Sequence, residues 1–179
     1  MKHQLVLIGM LLSSVAYSQN CETIEQENQQ LKSKLASLID TTQNARIKSF
    51  DPNFKIEVSS VIGNRDQQTI DVVFVMSHNK VHQEVRISLG DLRAYDDQGN
   101  VYDISQARIG MKQQQNSGSG YIMEEVPTSV PVKSTVTVRR VLPSVETLKK
   151  MIITITYRDT GGSFNFSKLE FDNLKITWK

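Results

Sequence analysis

The sequence predicts a mainly β fold: an antiparallel β-sandwich preceded by a short, coiled-coil-like N-terminal helix. Three observations carry this reading. From Phe54 onward, short runs of alternating apolar residues are separated by turn signals, the pattern of strands with one buried and one wet face. No helical periodicity interrupts those runs, which favours two packed antiparallel sheets over an α/β arrangement. Between Cys21 and Ala45 the chain instead contains no Pro or Gly. Glu, Gln, Lys, Leu and Ala dominate there, and all are good helix formers.

The chain has 179 residues and opens Met1-Lys2-His3, followed by the apolar run Leu5 to Leu12. A positive tip, a short apolar stretch and small residues at Ala16 and Ser18 have the layout of a secretory signal peptide, residues 1–18, cut before Gln19. The apolar run is shorter than the ~20 residues that span a bilayer. The mature chain is therefore expected to be exported, to the periplasm or the cell surface and outer membrane, without a transmembrane segment. Gln19 and Asn20 sit where a lipidated cysteine wants small residues, so lipidation of Cys21 is a minor reading. Removing residues 1–18 takes one lysine and lowers the net charge from +2 to +1. So near neutrality, bulk charge offers nothing to nucleic acid.

Residues 19–49 form the helical segment. Ile24, Leu31, Leu38 and Ala45 fall seven apart, and so do Cys21, Asn28, Leu35 and Thr42. With the first series at d and the second at a, both face one narrow seam of a coiled coil. Asn28 at an a position is a register device. Cys21, the chain's single cysteine, would meet its symmetry mate in a parallel dimer. It has no internal disulfide partner. The oligomerisation set is thus Cys21, Ile24, Asn28, Leu31, Leu35 and Leu38. The same pattern fits docking on a partner helix, or a lone amphipathic helix with an idle thiol.

Asp51-Pro52-Asn53 ends the helix, and residues 50–179 form the sandwich domain. Phe54, Ile56 and Val58 alternate, as do Ile70, Val72, Phe74 and Met76, then Val81, Val85, Ile87 and Leu89. Leu92 to Ile104 reads as a hairpin with Asp97-Gln98-Gly99-Asn100 at its tip. Val130, Val132, Val136 and Val138 give a further strand, Ile153, Ile155 and Tyr157 another. The last runs from Phe164 to Trp178, with Trp178 closing the core edge. Nearly all aromatic residues of the domain, Phe164 and Phe166 included, are assigned to the core.

Two stretches, "DLRAYDDQGNVYDI" and "VPTSVPVKSTVTVRRVLPSVETLKKMIITI", resemble the small immunoglobulin-like domains of unknown function found on exported bacterial proteins. Pro127, Pro131, Pro143 and Leu148 occupy the corresponding places, and the likeness covers residues 54–178. It implies an immunoglobulin-like sandwich in an extracytoplasmic setting and carries over no catalytic residue. The chain departs from the pattern by a polar insert, Met111 to Tyr121, expected to be a mobile surface loop. Gln113, Gln114, Gln115, Asn116 and Tyr121 are its candidate binding residues.

A search for chemistry returns little. Ser77-His78-Asn79-Lys80 reads as a turn between strands, and His78 and His82 lack further ligands for zinc. Asp96, Asp97, Asn100 and Asp103 offer oxygens to calcium but without a spaced ligand motif, and Asp and Asn favour turns for their own reasons. No G-x-S-x-G elbow occurs. Gly161-Gly162 reads as a hairpin turn, and Arg139-Arg140 and Lys149-Lys150 as charges on strand edges. The expectation is a non-enzymatic interaction or structural module of the bacterial cell envelope, with no cofactor. It would self-associate or dock on a partner protein through the helix. The alternative is a small-ligand or glycan-binding protein using the sandwich face or the 111–121 loop. Exposure of Tyr95, Tyr102 and Tyr121 would favour that alternative.

Overall fold

The computed structural model describes residues 24–34, 45–115, 120–159 and 161–179. The chain divides into two units, Met1–Ile39 and Asp40–Lys179. In the first, residues 24–34 are helical and exposed on every side. Cys21, Leu35 and Leu38 lie outside the described residues.

The second unit has, among the described residues, eleven strands: β1 Arg46–Lys48, β2 Phe54–Asn64, β3 Thr69–His78, β4 Gln83–Asp96, β5 Val101–Ile109, β6 Lys112–Gln115, β7 Tyr121–Val126, β8 Val132–Arg139, β9 Thr147–Asp159, β10 Asn165–Lys175 and β11 Thr177–Trp178. They run in the order β1-β10-β9-β4-β5-β8-β3-β2-β11, with β6 added to β5 and β7 to β4. Every pair is antiparallel except β11 with β2.

The path curls into two facing layers because β4 and β5 each change partners midway. Gln83 to Ser88 of β4 pair with β7, whereas Arg93 to Tyr95 pair with β5. Beyond Asp103, β5 leaves β4 and pairs with β8 and β6. A register shift between Ser88 and Arg93 marks the bend, as bulges do. The result is a half-barrel whose layers, β1-β10-β9-β4-β7 and β11-β2-β3-β8-β5-β6, enclose one core. Phe74 of β3 and Phe171 of β10, both fully buried, meet across it with ring centroids 5.4 Å apart. The predicted alternation is realised at Ile70, Val72, Phe74 and Met76 and at Val85, Ile87 and Leu89, all buried, whereas Val81 and Val130, expected in strands, lie outside β4 and β8 and are exposed.

Four expectations are corrected. The sheet begins at Arg46, inside the segment 19–49 assigned to helix, because Ile47 pairs with Phe171 and packs on the core. The insert does not begin as a loop: Lys112–Gln115 is strand β6, paired with Gln106 to Ile109. Its backbone gains a ladder, and polar side chains suit an exposed edge. His78 is not in a turn but ends β3, 3% exposed. Arg139 and Lys150 are not on strand edges. Their strands β8 and β9 are interior, and the side chains pair across the outer faces, Lys150 with Glu170 at 3.1 Å and Asp172 at 3.4 Å.

Candidate interaction surface

The strongest candidates for acid–base chemistry are two buried carboxylates, and both are occupied by internal donors. Asp51 Oδ1 accepts from the Asn53 backbone N–H at 2.7 Å and from Asn53 Nδ2 at 2.8 Å. Its Oδ2 accepts from the Tyr157 hydroxyl at 2.9 Å and from Lys80 Nζ at 3.4 Å. Burial alone would raise the Asp51 pKa. The hydrogen bonds from Asn53 and Tyr157, with the Lys80 charge, outweigh it and hold the carboxyl at about 2. Burial, then the bond to Asp51 and its charge, push Tyr157 up to about 12.

Asp96 is built the same way. It accepts from the backbone N–H groups of Gln98 and Asn100, from Asn100 Nδ2 and from the Tyr102 hydroxyl, all within 2.9 Å. Burial opposes ionisation of Asp96, but those four donors lower its pKa. Tyr102 is pushed to about 12 by burial and by Asp96. Asp103, the other hairpin carboxylate, faces Arg93 at 3.7 Å and Arg139 at 3.9 Å. The carboxylates of Asp96 and Asp103, two of the groups considered for calcium, are thus directed at protein donors. His78 Nε2 donates to the Val126 carbonyl at 2.7 Å, while exposed His82 faces Glu125 at 3.2 Å. Among the described residues no group of three His, Cys, Asp or Glu could hold a metal ion. Nor is any helix there long and apolar enough to cross a membrane.

What the fold leaves uncovered is the outer face of β7-β4-β9-β10. Cross-strand register places Met123, Arg86, Thr156 and Phe166 in one row over these four strands, so their side chains share a face. Arg86 lies between two rings, its guanidinium carbon 4.4 Å from the centre of Tyr121 and 3.7 Å from that of Phe164. Its Nε is 3.3 Å from Met123 Sδ. Arg158 covers Phe164 from the next row at 4.2 Å and pairs with Glu84. This layer buries Thr156 although it points outward from the core. Phe166 stands 80% exposed at the end of the row. Its assignment to the core is corrected: Thr156, its partner on β9, faces away from the core.

The other layer carries a polar face. A depression of about 260 Å³ is lined by Gln67, Asp71, Gln106, Arg108, Gln113 and Thr137, among others. Gln113 accepts from Arg108, and Thr137 Oγ1 donates to Asp71 at 2.6 Å.

The expected binding residues of the insert are therefore divided. Gln113 lies on the polar face, and Tyr121, 50% exposed, beside Arg86 on the opposite layer. Gln114 and Gln115 belong to β6 by their backbone, and Asn116 lies outside the described residues. Tyr102 is buried and Tyr95 half-buried. Of the heptad set, Ile24, Asn28 and Leu31 are exposed on the helix, Ile24 and Leu31 by 57% and 62%. Arg86, Phe164 and Phe166 were not singled out by sequence. Arg86 falls at an outward position between Val85 and Ile87, a signal that only strand pairing turns into a surface.

No protein-family model matches the sequence, and no curated protein is similar to it. Solved structures overlap the fold at low similarity. The ASH/PapD-like domain 7 of human CEP192 has 10% identity and a TM-score of 0.39, covering 74% of this chain and 87% of that one. AvmM, which catalyzes macrocyclization in alchivemycin A biosynthesis, has 10% identity and a TM-score of 0.36, covering 73% and 95%. A family 123 glycoside hydrolase from Clostridium perfringens has 7% identity and a TM-score of 0.32, covering 69% and 28%. No function follows from likeness at this level.

Proposed function

We propose that this chain is a non-enzymatic, exported interaction module with an immunoglobulin-like sandwich, docking on a protein partner through the outer face of β7-β4-β9-β10. The observation that carries the reading is Phe166, 80% exposed in the same cross-strand row as an arginine held against the Tyr121 and Phe164 rings. Exposed aromatics clustered with arginine are typical of interface centres. The test is site-specific photo-crosslinking in the native host, with a photoreactive phenylalanine analogue at position 166 or at Thr135 on the opposite layer. A protein adduct from position 166 and none from 135 is expected. Equal labelling, or none from 166, removes the reading.

The N-terminal helix supplies a second contact in this proposal, through Ile24 and Leu31 at heptad spacing. Export rests on the signal-like residues 1–18; sequencing of the mature N-terminus should start at Gln19. A non-reducing gel tests Cys21. A band of twice the monomer mass that collapses on reduction supports a parallel coil, and a monomer band removes the disulfide.

The polar depression favours a second reading, binding of a small polyhydroxylated ligand. Planar Asp and Gln side chains in one row, Asp71 and Gln106, with Arg108 in the next, suit the paired donors and acceptors of sugar hydroxyls. A glycan array separates the readings: selective binding lost in Asp71→Ala supports the ligand, and a blank array removes it.

A further inference from the structure

We infer that the partner segment received by this face is acidic, placing a carboxylate on Arg86 and an apolar side chain on Phe166. The inference rests on the docking reading above and names the partner's chemistry.

The arginines near this surface are not equivalent. Arg158 is spent: its Nε donates to Glu84 and its Nη1 to the Gly162 carbonyl at 3.2 Å. Arg93 and Arg139 share Asp103. Arg86 has no ion-pair partner among the described residues, and its hydrogen bond goes to a thioether, a weak acceptor. The guanidinium carbon lies 4.4 and 3.7 Å from the centres of the Tyr121 and Phe164 rings, and neither ring is a strong acceptor, so its terminal N–H groups keep their capacity for a ligand. The side chain is already ordered, so capturing an anion costs little further rotamer entropy. A carboxylate meets a guanidinium with two parallel hydrogen bonds.

Charge on the face points the same way. Of the acids in these rows, Glu84 is taken by Arg158, and Glu125 faces His82. Exposed Lys168, on β10 two residues after Phe166, adds a further cation, near Glu170, which is itself paired with Lys150. Arg86 and Phe166 are two strands apart in one row, a separation of about 10 Å. The partner must therefore offer a carboxylate and an apolar group at about that spacing. A polyanion without apolar groups would satisfy Arg86 and leave Phe166 wet.

The experiment is selection of a random-peptide phage library on the full chain, with counter-selection on Phe166→Ser. The best peptide is then resynthesised with a fluorescent label and titrated by anisotropy. Selected sequences should pair Asp or Glu with an apolar residue. The peptide should lose at least tenfold in affinity against Arg86→Gln, and equally when its acid is changed to the amide. Arg86→Lys, which keeps the charge without the planar fork, should retain part of the binding. Arg86→Glu should recover a peptide whose acid is replaced by lysine, an exchange that a merely structural role for Arg86 would not produce. Peptides that need Phe166 but ignore Arg86→Gln would overturn the acidic partner and leave the docking face standing. Failure to select any Phe166-dependent peptide would overturn both. Binding of dextran sulfate without any acidic peptide would also overturn the proposal.

Discussion

Asp51 ties three parts of the sandwich to one carboxylate: the turn before β2 through Asn53, the β3–β4 link through Lys80, and β9 through Tyr157. Its folded pKa of about 2 lies below its ordinary 3.8. The associated stability is present above about pH 4 and is lost as pH falls through about 2, a contribution of about 2 kcal/mol. Tyr157 and Tyr102 add the opposite limb. With folded pKa values near 12 against an ordinary 10, they stabilise below about pH 10 and lose that effect as pH rises through 12. Denaturant titrations across pH should show both limbs, and Asp51→Asn should flatten the acid one. An unchanged acid limb would show that Asp51 does not set it. At the opposite corner, Gly63 is required by contact. A Cβ there would collide with the Trp178 ring, which is held by a 2.7 Å bond from Nε1 to the Val145 carbonyl. Gly63→Ala should cost about 1–3 kcal/mol, the usual penalty of overpacking, while Gly90→Ala meets no atom within 4 Å and should be close to neutral. Trp178 was legible as a closing residue from its size and place in the last strand. The Asp51 cluster was not, because its donors stand at positions 53, 80 and 157 and no local pattern joins them.

At the scale of elements, the β4–β5 hairpin shows how much local chemistry can specify. Gly99 takes φ +81° at the tip, a backbone region that favours glycine. Asp96 accepts four hydrogen bonds that close the loop. Asp96→Ala leaves the Tyr102 hydroxyl and the loop N–H groups without that acceptor and should cost about 2–4 kcal/mol. Asp96→Asn, which keeps one carbonyl oxygen, should cost less; equal losses would mean that the hydrogen bonds are not what holds the hairpin. The Asp-Gln-Gly-Asn turn was readable because its residues carry their own turn preference. Strand β6 was not. Its run of glutamines has no alternation, and its strand character comes from the free edge of β5 rather than from its own sequence. The same holds for β1 and β11, of three and two residues, too short to show a period. For the helix the relation is reversed: the heptad spacing is clear in sequence, and the described helix leaves Ile24 and Leu31 exposed.

For the whole molecule, the alternation of apolar residues was enough to announce two layers, since each strand had one face to bury. The way the layers join was not legible. The partner changes of β4 and β5 depend on a bend near Gly90 that alternation alone reads as two separate strands. Nor did the pattern say which outward residues would form a surface. The apolar residues of the last segment fall at both even positions (Phe164, Phe166, Leu174) and odd ones (Leu169, Phe171), so alternation did not settle the face of Phe166, and its pairing with Thr156 turns it outward. Because β5 pairs with β4 at one end and with β8 at the other, its hydrogen bonds join the two layers, and the sandwich should unfold as one cooperative unit. Phe74 belongs to one layer and touches Phe171 of the other. Phe74→Ala should therefore cost about 3–5 kcal/mol and lower native-state hydrogen-exchange protection in β2, β3 and β8 by the same amount as in β9 and β10. If the protection loss stayed within β2, β3 and β8, the layers would be separate folding units, and the shared strands would be a hinge rather than a brace. A rigid brace is also what the docking reading requires. The row from Met123 to Phe166 crosses four strands, and it can present Arg86 and Phe166 at a fixed spacing only while those strands open together.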